Sequence, residues 1–329
     1  MMQRRELNSL LLGGALTAAT SAWPQASARR PVVGVLMTDV ANAMSSSITL
    51  PAFLKGLQEL GYVDGKNITL EIRSTSSKPQ ALPDIAAELV QLKADVIFVT
   101  GPAPIRAVLA ATRSIPIVAL DLETEPVRAG WAQSLARPGG NLTGLFLDLP
   151  GIAGKWLQLL REAAPRAQRV GVLWDPSTGE VQLDAAKAAA KGLGAELVVM
   201  EIGSVEDFEP VLAAGLKAGM RALLQLSSPL VSRLSQPSAV FAARHGLPGI
   251  SAFRRFADEG GLLSYGPVRV EMYRNAATFV AKILKGARPG ELSIEQPARF
   301  ELVVNLKAAK ALGMTLPQAL LLRADEVIQ

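Results

Sequence analysis

Cysteine is absent from the 329 residues. Its absence excludes disulfides, thiolate nucleophiles, iron–sulfur clusters and a lipid-modified N-terminal cysteine. Histidine occurs once, at His245, which leaves little for metal ligation or for proton transfer near neutral pH. Basic residues exceed acidic ones by only five, 34 against 29, and they are scattered, so no basic stripe supports nucleic-acid binding. There is no HExxH pair, no calcium loop and no dinucleotide fingerprint. The segment Gly61-Tyr62-Val63-Asp64-Gly65-Lys66 has one residue too few between its glycines for a phosphate loop, and Asn67 stands where Ser or Thr is required. It reads as a turn between a helix and a strand. Gly261-Leu262-Leu263-Ser264-Tyr265-Gly266 is one residue too long for a nucleophile elbow.

What is present begins at the N-terminus. Arg4 and Arg5, an apolar stretch over 10–19 and the small-residue end Ala26-Ser27-Ala28 have the three-part form of an export signal, residues 1–28, cut before Arg29. The apolar stretch is well short of the roughly 20 residues that cross a bilayer, which disfavours a retained membrane anchor. The paired arginines suit the twin-arginine route, although Glu6-Leu7-Asn8 match its pattern only loosely.

Beyond residue 28 the chain is long enough for two domains of ordinary size, and its hydrophobic content of 49% supplies their cores. Apolar runs of strand length alternate with segments of helical period, the mark of βαβ units and a parallel sheet. Strands are expected over 32–36, 68–72, 96–99 and 117–120, with helices over 52–60, 82–91 and 105–113. Arg137-Pro138-Gly139-Gly140-Asn141 then breaks the pattern, and we read it as leading into a crossing to a second lobe. There, helices are expected over 152–163, 182–193, 208–217 and 238–245, and strands over 170–174, 196–202, 222–226 and 247–251. Gly260-Gly261 and the strand-like 262–265 mark a second crossing. A helix over 268–285 and the irregular stretch around Pro289, Gly290 and Pro297 lead through a third to a strand at 300–305. The expected fold is α/β: two doubly wound parallel-sheet lobes joined by a three-segment hinge, with 29–142 and 266–297 in the first lobe and 143–265 and 298–329 in the second.

The stretches FLKGLQELGYVDGKNITLEIR (53–73), SLARPGGNLTGL (134–145), FRRFADEGGLLSYGP (253–267), FELVVNLKAAKALGMTLP (300–317) and LLRADEVI (321–328) resemble, in order and spacing, the ABC-transporter substrate-binding family of type I periplasmic binding proteins that includes the tryptophan/tyrosine-type uptake proteins. The resemblance covers nearly the whole chain after the signal. It implies a periplasmic, non-catalytic monomer without cofactor, not embedded in a membrane. Its lobes would close on a small molecule, an amino acid or an aromatic or other organic acid, and deliver it to a permease with its ATPase subunit. Two departures prevent carrying the ligand across. Thr100-Gly101-Pro102-Ala103-Pro104 replaces a glycine-rich turn and loses backbone N–H donors at both prolines, and Asp121-Leu122-Glu123-Thr124-Glu125 is more acidic than the glycine-containing loop of the family.

Ligands of open α/β sheets sit beyond the carboxyl ends of the strands, near helix N-termini. The candidates there are Thr38 and Asp39 with Ser45 and Ser46; Thr100 and Gly101; and Asp121 at the acidic loop, suited to an ammonium. The second lobe adds Trp174 and Asp175, and Ser227 and Ser228. The crossings add Phe146, Asp148, Phe253 and Tyr265. Each has a plainer reading: the serines and threonines as helix caps, Asp175 as a turn residue, the aromatics as core packing. His245 reads as a helix-end residue and Arg254-Arg255 as a solvated pair. Two other functions stay open, a solute sensor acting on a receptor and a hydrolase working with carboxylates drawn from Asp121, Asp148 and Asp175.

Overall fold

The computed structural model describes residues 29–38, 49–75, 79–147 and 149–329. In chain order the strands and helices are β1 (Val32–Met37), α1 (Leu50–Glu59), β2 (Thr69–Ser74), α2 (Leu82–Gln91), β3 (Val96–Thr100), α3 (Pro102–Ala111), β4 (Ile117–Asp121), β5 (Leu142–Phe146), α4 (Leu149–Ala163), β6 (Arg169–Trp174), α5 (Val181–Leu193) and β7 (Glu196–Glu201). They continue with α6 (Phe208–Lys217), β8 (Ala222–Gln225), α7 (Pro229–Arg233), α8 (Ser235–Arg244), β9 (Gly249–Ser251), α9 (Arg254–Asp258), β10 (Leu263–Pro267), α10 (Arg269–Leu284), β11 (Phe300–Asn305), α11 (Leu306–Ala311), α12 (Gln318–Arg323) and β12 (Glu326–Ile328).

Two sheets result. The first has the order β2-β1-β3-β4-β5 and is parallel throughout; the second has the order β12-β11-β10-β9-β8-β6-β7 and is parallel except where β10 meets β11. Central strands such as β3 and β4 are nearly continuous Val, Ile, Leu and Phe because helices cover both faces of a parallel sheet. Helix α3 begins three residues before its expected start. Pro102 occupies its first position and Pro104 follows in the first turn, where no N–H is needed and the ring presets φ.

The chain passes between the sheets three times, but the first crossing lies later than the turn signals indicate. Arg137-Pro138-Gly139-Gly140-Asn141 joins two neighbouring strands of the first sheet, because Leu142–Phe146 pairs in register with Ile117–Asp121. The chain leaves only after Phe146. Gly144 makes this pairing possible: its φ is 138°, and a Cβ there would stand 1.9 Å from the Ala119 carbonyl oxygen. The second crossing follows Pro267, two residues beyond the expected point. The third follows Glu295, which bridges to Leu145 of β5. Helix α10 returns to pack on α1, β3, β4 and β5.

Pro31–Gln329 form one compact unit, and the buried apolar side chains run continuously through its hinge. Phe53 stacks on Phe98 at 4.2 Å, and Phe98 meets Tyr273 of α10 edge-on at 6.0 Å. On the other side of the hinge, buried Trp156 of α4 donates its Nε1–H to the Tyr265 carbonyl at 2.6 Å. Among the described residues no helix is long and apolar enough to cross a membrane.

Candidate functional site

Parallel strands bring the loops at their carboxyl ends together, and here the carboxyl ends of both sheets border one cavity of about 690 Å³. The first lobe contributes Met37 and Thr38 after β1, Thr100 and Gly101 after β3, and Leu120, Leu122 and Glu123 around the end of β4. The second contributes Pro229, Ala252, Phe253, Arg254 and Ser264. The hinge segment 266–270 and Tyr273 close one side.

Three helices start at this cavity. Thr49, Gly101 and Val268 are the N-caps of α1, α3 and α10, all three line it, and none of these three residues caps its helix with its own side chain. Unclaimed N–H groups of a first turn carry a partial positive charge that favours anions, and α10 has the fullest set, since Pro51 removes one from α1 and Pro102 and Pro104 remove two from α3. Gly101 holds φ at 85°, a conformation that places its N–H on the Leu120 carbonyl at 3.0 Å and turns the chain into α3.

The lobes also touch directly. Ser227, after β8, donates its Oγ–H to Glu123 Oε1 at 2.7 Å, and its own backbone is held by Gln182, which accepts from Ser227 N and donates to Ser227 O, both at 2.8 Å. Glu123 is buried next to Asp121, whose Oδ1 accepts the Glu123 N–H at 2.9 Å. Burial raises the Asp121 carboxyl above the usual range, and burial together with the Asp121 charge raises Glu123 further. Glu123 therefore tends to keep its proton.

Of the residues expected at the site, Thr38, Thr100, Gly101 and Phe253 line the cavity. Asp39, Ser45, Ser46 and Asp148 lie outside the described residues. Asp121 and Tyr265 are one step out of phase. Side chains alternate along a strand, so Leu120 and Leu122, and likewise Ser264 and Gly266, reach the cavity while Asp121 and Tyr265 face away. Tyr265 stacks on Phe300 at 5.7 Å instead. Phe146 is buried under Trp131, with ring centroids 6.3 Å apart. Trp174 gives its Nε1–H to the Gly179 carbonyl at 3.1 Å, and Asp175 caps the following turn through Ser177 N at 2.9 Å. Ser228 caps α7 through Val231 N at 3.0 Å, and Ser227 forms the lobe-to-lobe bond rather than facing the cavity.

Arg254 and Arg255 are not a simple solvated pair. Both line the cavity, and Arg254 meets Asp258 at 3.4 Å, Glu301 at 3.4 Å and Glu326 at 2.6 Å, contacts that raise its basicity further. Ser264, Arg269 and Tyr273 were not singled out as contacts by sequence reasoning, and Glu123 only as part of the acidic loop in which Asp121 was preferred. Ser264 could have been found by applying the two-residue alternation to β10, whereas Glu123 lies past the end of β4. Arg269 and Tyr273 look like ordinary helix residues until α10 is placed at the hinge. His245 ends α8 with its ring 4.4 Å from Phe241. No cluster of metal-ligating side chains occurs among the described residues. The arrangement can hold a small solute between apolar walls and hydrogen-bond donors.

The sequence matches the model of a family described as ABC transporter substrate binding protein over residues 17–328. A curated tyrosine-binding protein of Clostridioides difficile is 26% identical over 272 residues, 80% of this chain and 75% of that protein. A solved conserved domain protein of Vibrio cholerae is 27% identical with a TM-score of 0.83, covering 91% of this chain and 100% of the other. An ABC domain in complex with L-Trp from Streptococcus pneumoniae reaches the same TM-score and coverage at 20% identity, and a leucine-binding protein of Thermotoga maritima a TM-score of 0.61 at 13% identity, covering 78% and 83% of the two chains. These last two are likenesses of fold, that of the type I periplasmic binding proteins.

Proposed function

The chain belongs to the ABC transporter substrate-binding family, and from that premise we propose that it captures a small organic solute in the cavity between its lobes and delivers it to a membrane permease. The solute is an amino acid or a related aromatic or organic acid. The observation that carries this reading is the cavity itself, which takes Thr100 and Gly101 from one lobe and Phe253 and Ser264 from the other. A solute touching both favours the closed arrangement in proportion to its differential affinity for it, and closure is what a permease could recognise. The likeness to a tyrosine-binding protein and to an ABC domain solved with L-Trp supports an aromatic solute.

The N-terminal signal supports export to the periplasm with cleavage after Ala28, and the absent cysteine supports a protein without a lipid-modified N-terminal cysteine. The role is non-catalytic. Of the carboxylates open to a hydrolase, Asp175 is committed to capping a turn and Asp121 lies off the cavity.

Thermal unfolding of the protein lacking residues 1–28, against a panel of amino acids and organic acids, tests the reading. A bound solute near 100 Kd adds about 2.7 kcal/mol of stability and raises the melting temperature. A broad panel without effect contradicts solute binding, and chemical turnover of a stabilising compound contradicts the non-catalytic role.

A further inference from the structure

We propose that the solute carries a carboxylate and no ammonium, and that Arg269 at the start of α10, together with Ser264 of β10, forms its anchor. The inference rests on reading the cavity as the solute site and specifies the chemistry of that site.

The charges around the cavity are unevenly committed. Among its lining acids, Asp258 and Glu301 both face Arg254 at 3.4 Å, and Glu123 receives Ser227 Oγ at 2.7 Å. Burial and the neighbouring Asp121 push the Glu123 carboxyl above the usual range. An ammonium group would therefore find no lining acid without a partner among the described residues. Among the lining cations, Arg254 is surrounded by acids and Arg255 faces Glu259 at 3.6 Å. Arg269 has no ion pair among the described residues, and its Nε is buried without a hydrogen-bond partner. Its guanidinium is held between two rings, 5.8 Å from Phe253 and 6.0 Å from Tyr273. This fixes the donor fork without using its N–H groups.

Ser264 supplies an independent sign of a missing partner. It is 1% exposed, lines the same cavity, and its Oγ makes no hydrogen bond. A buried donor left unpaired is costly, and such groups in native structures call for an explanation. Val268, Arg269 and Val270 also line the cavity at the start of a 16-residue helix, so the field at this wall favours an anion. A carboxylate placed here takes bonds from guanidinium and hydroxyl together, while Leu120, Leu122, Ala252 and Phe253 receive an apolar body.

The test is calorimetric titration of the protein lacking residues 1–28 with matched pairs: hydroxyphenylpropanoate and L-tyrosine, indolepropanoate and L-tryptophan, methylpentanoate and L-leucine. At least one desamino acid is expected to bind about tenfold or more tightly than its amino acid, and Arg269→Met to weaken it by at least about tenfold, with Arg269→Lys intermediate. The melting temperature of each unliganded variant shows that it is folded. Amino acids binding as tightly as or more tightly than their desamino partners overturn the inference and leave solute capture standing, as does Arg269→Met with unchanged affinity. Binding by none of the six compounds overturns the reading of the cavity on which the inference rests.

Discussion

Glu123 joins the two lobes through a single short bond, and its protonation is coupled to folding. Its carboxyl, and more modestly that of Asp121, lies above the usual range because burial disfavours charge in both and the Asp121 charge adds to this for Glu123. The native state therefore binds more protons than the unfolded state over this interval. The stability these groups provide is complete below the unfolded carboxylate value and is lost as pH rises through the raised folded value. The melting temperature should fall across that window, and Glu123→Gln, which retains an oxygen for Ser227, should flatten the decline. A wild-type profile equal to that of the variant contradicts this account. At this scale the acidic loop is legible in the sequence, but Asp121, the last residue of β4, lies off the cavity while Glu123, past the strand end, lines it. Nothing in the local composition distinguishes the two, and they share a strand phase, so the course of the loop after β4 decides.

Helix α10 ties the hinge to the first lobe through its contact with α1, where Gly56 allows close approach. A Cβ at Gly56 would lie 2.9 Å from Ala277 Cβ and 3.1 Å from the Arg274 carbonyl oxygen. Gly56→Ala should cost about 1–3 kcal/mol by chemical denaturation and, by displacing the helix that begins at Arg269, also weaken solute binding. Stability and affinity both unchanged would show that the contact yields freely. Gly144→Ala is expected to be more severe, about 3 kcal/mol or more, because the Ala119 backbone of the neighbouring strand cannot move aside as a side chain can. An unchanged denaturation midpoint contradicts that. The long helices and central strands are legible in the sequence from periodicity. The five-residue helices α7 and α9 are not, since each spans little more than one turn and presents no repeat to detect. That is why Arg254 was read as a solvated residue.

At the scale of the molecule, two α/β lobes and three passages between them follow from the alternation of strand-like and helix-like segments. The position of the first passage does not, because a Pro-Gly-Gly turn serves equally for a crossing and for a link between adjacent strands. The lobe-to-lobe bond gives a prediction at this level. Ser227→Ala removes the donor to Glu123 and should cost the closed arrangement about 1–3 kcal/mol. The radius of gyration by X-ray scattering should rise in the absence of solute and return toward the wild-type value when solute is added. Identical scattering and affinity would mean the bond does not hold the lobes together. The central claim is that one small solute bridges both lobes in the cavity. A crystal structure of the protein with a compound that stabilises it tests this most directly: the account predicts density in contact with Thr100 or Gly101 on one side and Phe253 or Ser264 on the other, and density confined to the outer surface of one lobe would contradict it.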